Sequence, residues 1–339
     1  MIKQAINKLV QNENLSESEM INVMNVIMEG KATSAQIGSF LTALRVKGET
    51  IEEITGSAKV MRDKSLHVKI NKEYSIDTCG TGGDGANTFN ISTIVAFIAS
   101  ACGVAVVKHG NRSISSKCGS ADVLELLGIN IDLNSCEVEK CIEEIGVGFM
   151  FAPNFHKLMK NVITPRSELG IRTIFNVLGP LTNPARVNGQ VLGVFDEKLT
   201  AVLAGVLKEL GVERAMVVHG LDGLDEITTT TKTKVTELKN NNISTYYINP
   251  MDFNIPIANK EDILGGQIKD NADIMLRILN GEKGARRNIV LLNAGAAIYV
   301  GKQADSLEDG INKAKEVLDN GFALKKLNQL IELSQEMKK

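Results

Sequence analysis

The sequence predicts an α/β fold in which a small helical region precedes a larger region of alternating strands and helices. Residues 1–65 carry helix-start signals and stop glycines but no strand pattern. From residue 74, short apolar runs typical of buried strands alternate with helix-like segments, which is the pattern of a sheet covered by helices. A glycine-rich stretch, 80–85, joins the first strand to the first helix of that region.

Length and composition limit the function classes open to the chain. With 339 residues, two domains are expected, and the net charge of −2 offers no basic excess for nucleic acid or an anionic membrane. The five cysteines form no C-x-x-C pair and no secretion signal is visible, so a cytoplasmic location is expected. No apolar run approaches the length of about 18 residues that would cross a membrane.

Helix signals define the N-terminal region. It contains three capping boxes and two stop glycines, namely Ser16-x-x-Glu19, Thr33-x-x-Gln36, Thr50-x-x-Glu53, Gly30 and Gly48. Short helices bury little apolar surface by themselves, so they pack on the rest of the chain or share in a dimer interface.

The larger region is predicted to contain six strands, seven helices and one Thr-rich strand-like segment. The strands are 74–78, 104–107, 147–152, 190–195, 214–219 and 243–248; the helices are 92–102, 121–127, 135–145, 198–210, 271–280, 305–319 and 323–337; the Thr-rich segment is 227–240. Ser120 has the position of an N-cap and Gly128 that of a helix stop.

The stretch 77–90, DTCGTGGDGANTFN, is the most informative part of the sequence. Glycines permit positive φ and let backbone N–H groups converge on an anion, and the helix that follows adds free N–H groups and its dipole. The stretch has neither the Lys-Ser/Thr of a P-loop nor G-x-G-x-x-G. It therefore predicts a phosphate or pyrophosphate site outside the two common nucleotide patterns.

Two further segments follow predicted strands and carry charge. The basic segment, KHGNRSISSK at 108–117, is either a solvated loop or part of an anion site. The anion site is favoured, because the glycine stretch is predicted to follow a neighbouring strand and ligands bind at the carboxyl ends of strands. In HGLDGLDE, 219–226, the adjacent Asp225 and Glu226 suit Mg²⁺ shared with substrate phosphates, although Asp-Gly is also a common surface turn.

Arg166 and Arg172 are candidates for binding a carboxylate through two bonds, and either could instead form a structural ion pair with Glu168. His109, His156 and His219 are more often structural than catalytic in such positions, so no proton-transfer role is assigned to them.

Taken in order, these segments resemble the anthranilate phosphoribosyltransferase family. The motifs are GTGGD (80–84), NIST (90–93), KHGNRSISSKCGSADVLELLG (108–128), GIRTIFNVLGPLTNPA (170–185), HGLDGLDE (219–226) and LNAGAA (292–297). The likeness spans nearly the whole chain. The family often has His-His-Pro where this chain has Phe155-His156-Lys157. It often has Pro-Val/Ile-Arg-Arg/Lys where this chain has Thr164-Pro165-Arg166-Ser167.

The resemblance implies a fold shared with class III phosphoribosyltransferases and pyrimidine nucleoside phosphorylases. A small helical domain, 1–70, with a helical excursion near 160–182, would pack on a large domain, 71–339, whose mostly parallel sheet is flanked by helices. The active site would lie at the hinge. A homodimer built through the N-terminal helices is also implied.

The implied reaction joins anthranilate to phosphoribosyl pyrophosphate (PRPP), in the second committed step of tryptophan biosynthesis, with two Mg²⁺ ions per active site. The resemblance assigns PRPP to Gly80, Gly83, Asp84, Thr88, Asn90, Ile91, Ser92, Thr93, Lys108, His109, Gly110, Asn111, Arg112, Ser113, Ile114, Ser115, Ser116 and Ser120. It assigns anthranilate to Gly80, Asn111 and Arg166, and magnesium to Ser92, Asp225 and Glu226. No residue is assigned as a general acid or base.

Two other functions are compatible with parts of the pattern. A pyrimidine nucleoside phosphorylase would need neither the acidic pair nor the KHGNR segment. An inert relative that binds nucleic acid would have a broken glycine loop and a basic face, whereas GTGGD is complete and the chain is slightly acidic.

Overall fold

The computed structural model of the chain describes residues 1–113 and 118–338. Its strands are β1 Ser75–Gly80, β2 Ala105–Gly110, β3 Val147–Phe151, β4 Gly189–Gly193, β5 Arg214–Gly220, β6 Thr233–Lys239 and β7 Asn242–Ile248. They form one sheet in the order β3-β2-β1-β4-β5-β6-β7. The pairs from β3 to β5 are parallel, and β6 and β7 extend the sheet in antiparallel fashion.

Helices precede the sheet and cover it. Those of the described residues are α1 Ile2–Val10, α2 Glu17–Met28, α3 Ser34–Lys47, α4 Ile51–Asp63, α5 Ile91–Ala101, α6 Ser120–Leu126, α7 Ser135–Ile145, α8 Ala152–Phe155, α9 Lys160–Leu169, α10 Phe175–Leu178, α11 Leu199–Glu209, α12 Ile268–Leu279, α13 Ala285–Val300, α14 Leu307–Asp319 and α15 Phe322–Glu336. Within the described ranges, no helix is long and apolar enough to span a membrane.

The helical N-terminal region is built as its capping signals predict. Ser16, Thr33 and Thr50 each accept a hydrogen bond from the backbone three residues ahead, and all three capping boxes are complete. Gly48 ends α3 with a φ of 89°. α9 packs against α2 and α3, so the 160–169 segment belongs spatially to these helices.

Two apolar cores lie on the two sides of the sheet. One is formed by α5, α13 and α15 with side chains of β1, β2 and β3. The other joins α1–α4 to α9, α10 and α11 and continues onto one face of β4 and β5, through residues such as Leu192 and Val217. Because this second core is continuous, the helical region is packed directly on the sheet.

The six predicted strands and seven predicted helices are confirmed, with ends that differ by at most three residues. The Thr-rich segment is a strand only over Thr233–Lys239. The prediction of Ser120 as an N-cap is wrong, because Gly119 is the N-cap and Ser120 begins α6. The predictions from sequence pattern also lack α13, whose side chains are buried almost all round and so show no amphipathic stripe.

The strand order places the site. From β1 the chain adds β2 and β3 on one side and later β4 and β5 on the other, so β1 and β4 flank a switch point in the topology. Loops at the carboxyl ends of strands diverge at such a point and open a crevice where ligands bind. The glycine loop follows β1 at that place.

Candidate active site

The glycine loop wraps around an acidic side chain. Gly82, Gly83 and Gly85 have φ values of 63°, 76° and 72°, in the region that side chains disfavour. The backbone N–H of Gly82 donates to Oδ2 of Asp225 over 2.7 Å, and a Cβ atom on Gly80 would lie 2.5 Å from the same oxygen. The glycines are therefore needed for the turn and for the close approach of the Asp225 carboxylate.

The first turn of α5 follows the glycine loop directly. Asn90 is its N-cap residue, but the Asn90 amide bonds to the Cys118 carbonyl oxygen and to Asn271, each over 3.2 Å, and not to the helix. The Asn90 side chain thus leaves the start of α5 uncapped, and the Ser92 N–H faces the Glu226 carboxylate instead, as expected for an acidic group at the positive end of a helix dipole. The buried Thr93 hydroxyl has no partner in the described part of the chain.

Lys108 lies within β2, and not in a loop as expected, and its side chain is buried. Its ammonium donates to the Thr78 carbonyl oxygen and, over 3.2 Å, to the Ser92 hydroxyl. Burial lowers the pKa of Lys108, and the buried Asp77 carboxylate opposes that shift. The lysine therefore places one cation between the end of β1 and the start of α5.

Asp225 and Glu226 follow β5 and are half-buried. Burial raises the pKa of both carboxyls. Repulsion by Asp84 raises the pKa of Asp225 further, and repulsion by Asp225 raises that of Glu226 further. Lys108 and a backbone N–H at the start of α5 lower the pKa of Glu226 in part. Crowded carboxylates of this kind fit a divalent cation, because the cation would remove the repulsion.

The donor set fits magnesium better than zinc. Across residues 1–113 and 118–338, no three His, Cys, Asp or Glu side chains form a complete metal site by themselves. Mg²⁺ usually takes one or two protein carboxylates and completes its shell with phosphate and water oxygens, whereas zinc prefers His and Cys. The acidic pair thus suits an ion held together with a phosphorylated ligand.

A buried asparagine outside the predicted site holds the acidic pair in place. Asn293, on α13, accepts the backbone N–H of Ile227 over 2.9 Å and donates to the Ile227 carbonyl oxygen over 2.8 Å. Gly193, at the end of β4, has no room for a side chain because the Asp225 carbonyl oxygen fills that space. The motif LNAGAA contains Asn293, but by itself it indicates no role.

The basic segment after β2 only partly follows the prediction. Arg112 pairs with Glu125 over 2.8 Å and with Asp122 over 3.0 Å, and these acids raise the pKa of the guanidinium. The backbone N–H of Ser113 also donates to Asp122. The charge of Arg112 is therefore balanced within the protein. The predicted ligands Ile114, Ser115 and Ser116, with Lys117, lie outside the described residues.

The remaining predicted PRPP ligands lie around the same strand ends. Asn111 is exposed, and its carbonyl oxygen accepts from the Ser120 hydroxyl over 3.4 Å. Gly110 packs so closely that a Cβ atom there would lie 2.7 Å from the Phe149 ring. Thr88 forms an isolated β-bridge at the far end of the glycine loop.

The two candidate arginines differ in their surroundings. Arg166, on α9, is half-buried, and its guanidinium lies 5.1 Å from the centre of the Phe175 ring. That guanidinium forms no hydrogen bond or ion pair with the described residues. Arg172 donates to the Gly83 carbonyl oxygen. Neither pairs with Glu168 within the described ranges, so the alternative of a structural ion pair is not observed.

Two buried histidines form a neutral pair. The rings of His109 and His156 lie 5.1 Å apart, and neither Nε2 atom has a partner in the described part of the chain. Burial lowers the pKa of His109 to about 3 and that of His156 to about 4. His109 therefore offers a hydrogen bond but no positive charge at neutral pH. His219 Nδ1 bonds to a backbone carbonyl over 2.7 Å, as a structural histidine does.

Comparisons with known proteins match both regions. The family described as "Glycosyl transferase family, helical bundle domain" matches residues 3–65, and "Glycosyl transferase family, a/b domain" matches residues 72–324. Fold and site together thus define a glycosyltransferase with a helical and an α/β part.

Relatives narrow the class to one family. An anthranilate phosphoribosyltransferase from Alkaliphilus metalliredigens (strain QYMF) is 68% identical over 338 residues, which are 100% of both chains. The solved enzyme from Thermus thermophilus has a TM-score of 0.93 and 39% identity, over 98% of this chain and 99% of that one. The Saccharomyces cerevisiae enzyme in complex with PRPP and Mg has a TM-score of 0.91 and 29% identity, over 99% of this chain and 98% of that one. The chain belongs to the anthranilate phosphoribosyltransferase family, as its motifs predict.

Proposed function

We propose that this chain transfers the 5-phosphoribosyl group of PRPP to the amine of anthranilate, giving N-(5-phosphoribosyl)anthranilate and pyrophosphate, at the carboxyl ends of β1, β2 and β5. One observation carries the proposal: the Gly82 N–H, the uncapped start of α5, Lys108 and the acidic pair Asp225–Glu226 meet at one edge of the sheet. Membership of the family supports the same reaction.

The glycine loop and the first turn of α5 would bind the pyrophosphate. As the bond to the anomeric carbon breaks, negative charge grows on the leaving group and positive charge on the ribose. Donors already aimed at the leaving group stabilise that transition state without reorganising. Lys108 adds a cation held in place by Thr78 and Ser92.

Asp225, Glu226 and the Ser92 hydroxyl would hold Mg²⁺, with two ions per active site. When bound, Mg²⁺ neutralises the charge that pyrophosphate carries as it leaves. The residues prepare for it: Asn293 fixes the backbone after the acidic pair, and the Gly82 N–H orients the Asp225 carboxylate.

Arg166, with Asn111 and Gly80, would bind anthranilate. The Arg166 guanidinium has its donors free of partners among the described residues and is oriented by the Phe175 ring, so a carboxylate could accept two parallel bonds from it. The half-buried position strengthens such a bond, because less water competes for it.

No general base is assigned to the reaction. The aromatic amine of anthranilate is already neutral at pH 7, so its lone pair is free to attack. The positioning of the two substrates would then supply much of the rate.

A fluorescence assay of anthranilate consumption tests the function. Loss of anthranilate fluorescence should require both PRPP and Mg²⁺, and chelation of the metal should abolish it. As the matched control, inorganic phosphate with a pyrimidine nucleoside should give no turnover. Turnover with the control substrates and none with PRPP would replace this function by nucleoside phosphorolysis.

The helical domain, residues 1–70 with the excursion near 160–182, is proposed to form a homodimer interface in a cytoplasmic enzyme. Val10 on α1 is 72% exposed and Val46 on α3 is 82% exposed, so both offer apolar surface that a second chain could cover. Light scattering should give the mass of two chains, and Val46→Glu should shift the mass towards one chain. A monomeric parent protein would refute the proposal.

A further inference from the structure

We propose that Arg172 is a positioning residue for the pyrophosphate site, because it fixes the orientation of the peptide that joins Gly83 to Asp84. The proposal rests on the function proposed above, in which the glycine loop binds the pyrophosphate of PRPP. Arg172 lies between α9 and α10; the sequence marks it as a candidate for binding a carboxylate, but the resemblance assigns it no ligand.

The contact joins two segments that are far apart in the sequence. Nη2 of Arg172 donates to the carbonyl oxygen of Gly83, which lies 89 residues earlier. A Cβ atom on Gly83 would be 3.5 Å from the same nitrogen, so the guanidinium lies directly against the loop backbone. A charged donor makes such a bond stronger than a neutral one.

The bond determines where the next N–H points. Because a trans peptide is planar, the Gly83 carbonyl and the Asp84 N–H point in opposite directions. Arg172 therefore turns the Asp84 N–H to the other side of the loop, where no acceptor for it is present among the described residues. Glycine permits several backbone orientations, so the arginine removes a freedom that Gly82 and Gly83 would otherwise leave to this peptide.

Arg172 is itself held in place. Its guanidinium lies 4.2 Å from the centre of the Phe195 ring, as in a cation–π contact. The backbone N–H of Phe195 donates to the Thr81 hydroxyl over 3.1 Å. Phe195 therefore contacts Arg172 through its ring and the glycine loop through its backbone, so the loop is held at both Thr81 and Gly83.

This arrangement separates the roles of the two arginines. The Arg172 guanidinium donates to a backbone carbonyl of the loop, whereas the Arg166 guanidinium has no hydrogen-bond acceptor within the described ranges. Arg172 should consequently affect the binding of PRPP, through the loop, and Arg166 should affect the binding of anthranilate.

Calorimetric titration of PRPP with Mg²⁺, without anthranilate, tests the proposal alongside steady-state kinetics. Arg172→Ala should raise the Kd and KM for PRPP about tenfold, because a charge-assisted bond is lost. The KM for anthranilate should change less than about twofold, since no donor to anthranilate is removed. Arg172→Lys should recover part of the loss, because lysine donates a hydrogen bond but stacks less well.

Phe195→Leu separates positioning from direct contact with the substrate. It leaves the charge of Arg172 but removes the ring, so PRPP binding should weaken about threefold. The double variant with Phe195→Leu and Arg172→Ala should bind PRPP about as weakly as Arg172→Ala alone. Arg277→Ala is the matched control, because Arg277 is 53% exposed on α12 and forms an ion pair with Glu282 there; it should bind PRPP as the parent does.

Several results would overturn the proposal. One is an unchanged Kd for PRPP in Arg172→Ala, and another is a rise confined to the KM for anthranilate. A third is weaker PRPP binding in Arg172→Ala while Phe195→Leu binds PRPP as the parent does. That third result would indicate that Arg172 contacts the substrate directly through its charge. Failure of the parent protein to bind PRPP would instead refute the proposed function. The two failures are therefore distinguishable.

Discussion

The two segments predicted to bind anions, the glycine loop after β1 and the basic segment after β2, use their charge differently. The glycine loop directs the Gly82 N–H at Asp225 and leads into an uncapped helix start. In the basic segment, Lys108 is buried between β1 and α5, and Arg112 is paired with two acids. The glycine loop therefore meets the acidic pair with a backbone N–H and keeps the Asp84 N–H without an acceptor among the described residues. The side-chain cations of the basic segment are instead held by oxygen atoms of the protein itself.

The largest expected effect concerns the acidic pair that the glycine loop encloses. Asp225→Asn with Glu226→Gln keeps the shapes but removes the charges that would hold Mg²⁺, so turnover should fall about 100-fold or more. Binding of Mn²⁺ in the presence of PRPP, measured by electron paramagnetic resonance, should weaken in parallel. An unchanged metal titration would remove these residues from the metal site.

Two glycines of the loop should differ, although they are close neighbours in the sequence. Gly80→Ala places a methyl group 2.5 Å from the Asp225 carboxylate, and the displacement should lower kcat/KM about 30-fold, which corresponds to about 2 kcal/mol. Gly82→Ala is the control, because its Cβ would meet open space and only backbone strain is added. Equal losses of kcat/KM in the two variants would mean that the loop needs glycine for its backbone turn and not for its close fit around Asp225.

Arg166→Ala should raise the KM for anthranilate about tenfold and leave the KM for PRPP nearly unchanged, because a two-bond carboxylate contact is lost. Steady-state kinetics with both substrates varied measure this. The reverse selectivity would assign Arg166 to phosphate binding and would extend the cationic part of the PRPP site beyond the two segments compared.

The smallest effect is expected in the basic segment. Arg112→Ala should change the KM for PRPP by less than about threefold and the free energy of unfolding by less than about 1 kcal/mol, because the arginine side chain is 44% exposed and water screens its ion pairs. Kinetics and urea unfolding check both values. A tenfold rise in the KM for PRPP would show that Arg112 exchanges Asp122 and Glu125 for the substrate. The basic segment would then bind the anion directly, as proposed for the glycine loop.

The sequence predicts features that depend on neighbouring residues and misses those that depend on distant ones. The capping boxes and the glycine turn are local, so their residues identify them. Asn293 binds the backbone of Ile227, 66 residues earlier, and Arg172 binds Gly83, 89 residues earlier; no local pattern marks either bond. α13 is missed for a related reason, since burial on nearly all sides removes the periodicity that reveals surface helices.

The neutral histidine pair has a consequence for the behaviour of the folded chain in acid. With the pKa of His109 lowered to about 3 and that of His156 to about 4, both rings stay unprotonated in the folded state at mildly acid pH. The unfolded chain takes up a proton at each ring below about pH 6.5, so protons favour unfolding from that pH down to the folded-state values.

The raised pKa values of Asp225 and Glu226 act in the opposite direction, so the test is the difference between two proteins that share them. Relative to the parent, the urea midpoint of His156→Asn should rise as the pH falls from about 6.5 to 4.5, because one of the two proton acceptors of the unfolded chain is removed. An identical pH dependence in both proteins would assign the effect to other groups. Above about pH 6.5 the rings bind no proton in either state, and their contribution to the pH dependence vanishes. The two buried imidazoles thus lower the stability of the native state as the pH falls from about 6.5 towards their folded-state pKa values.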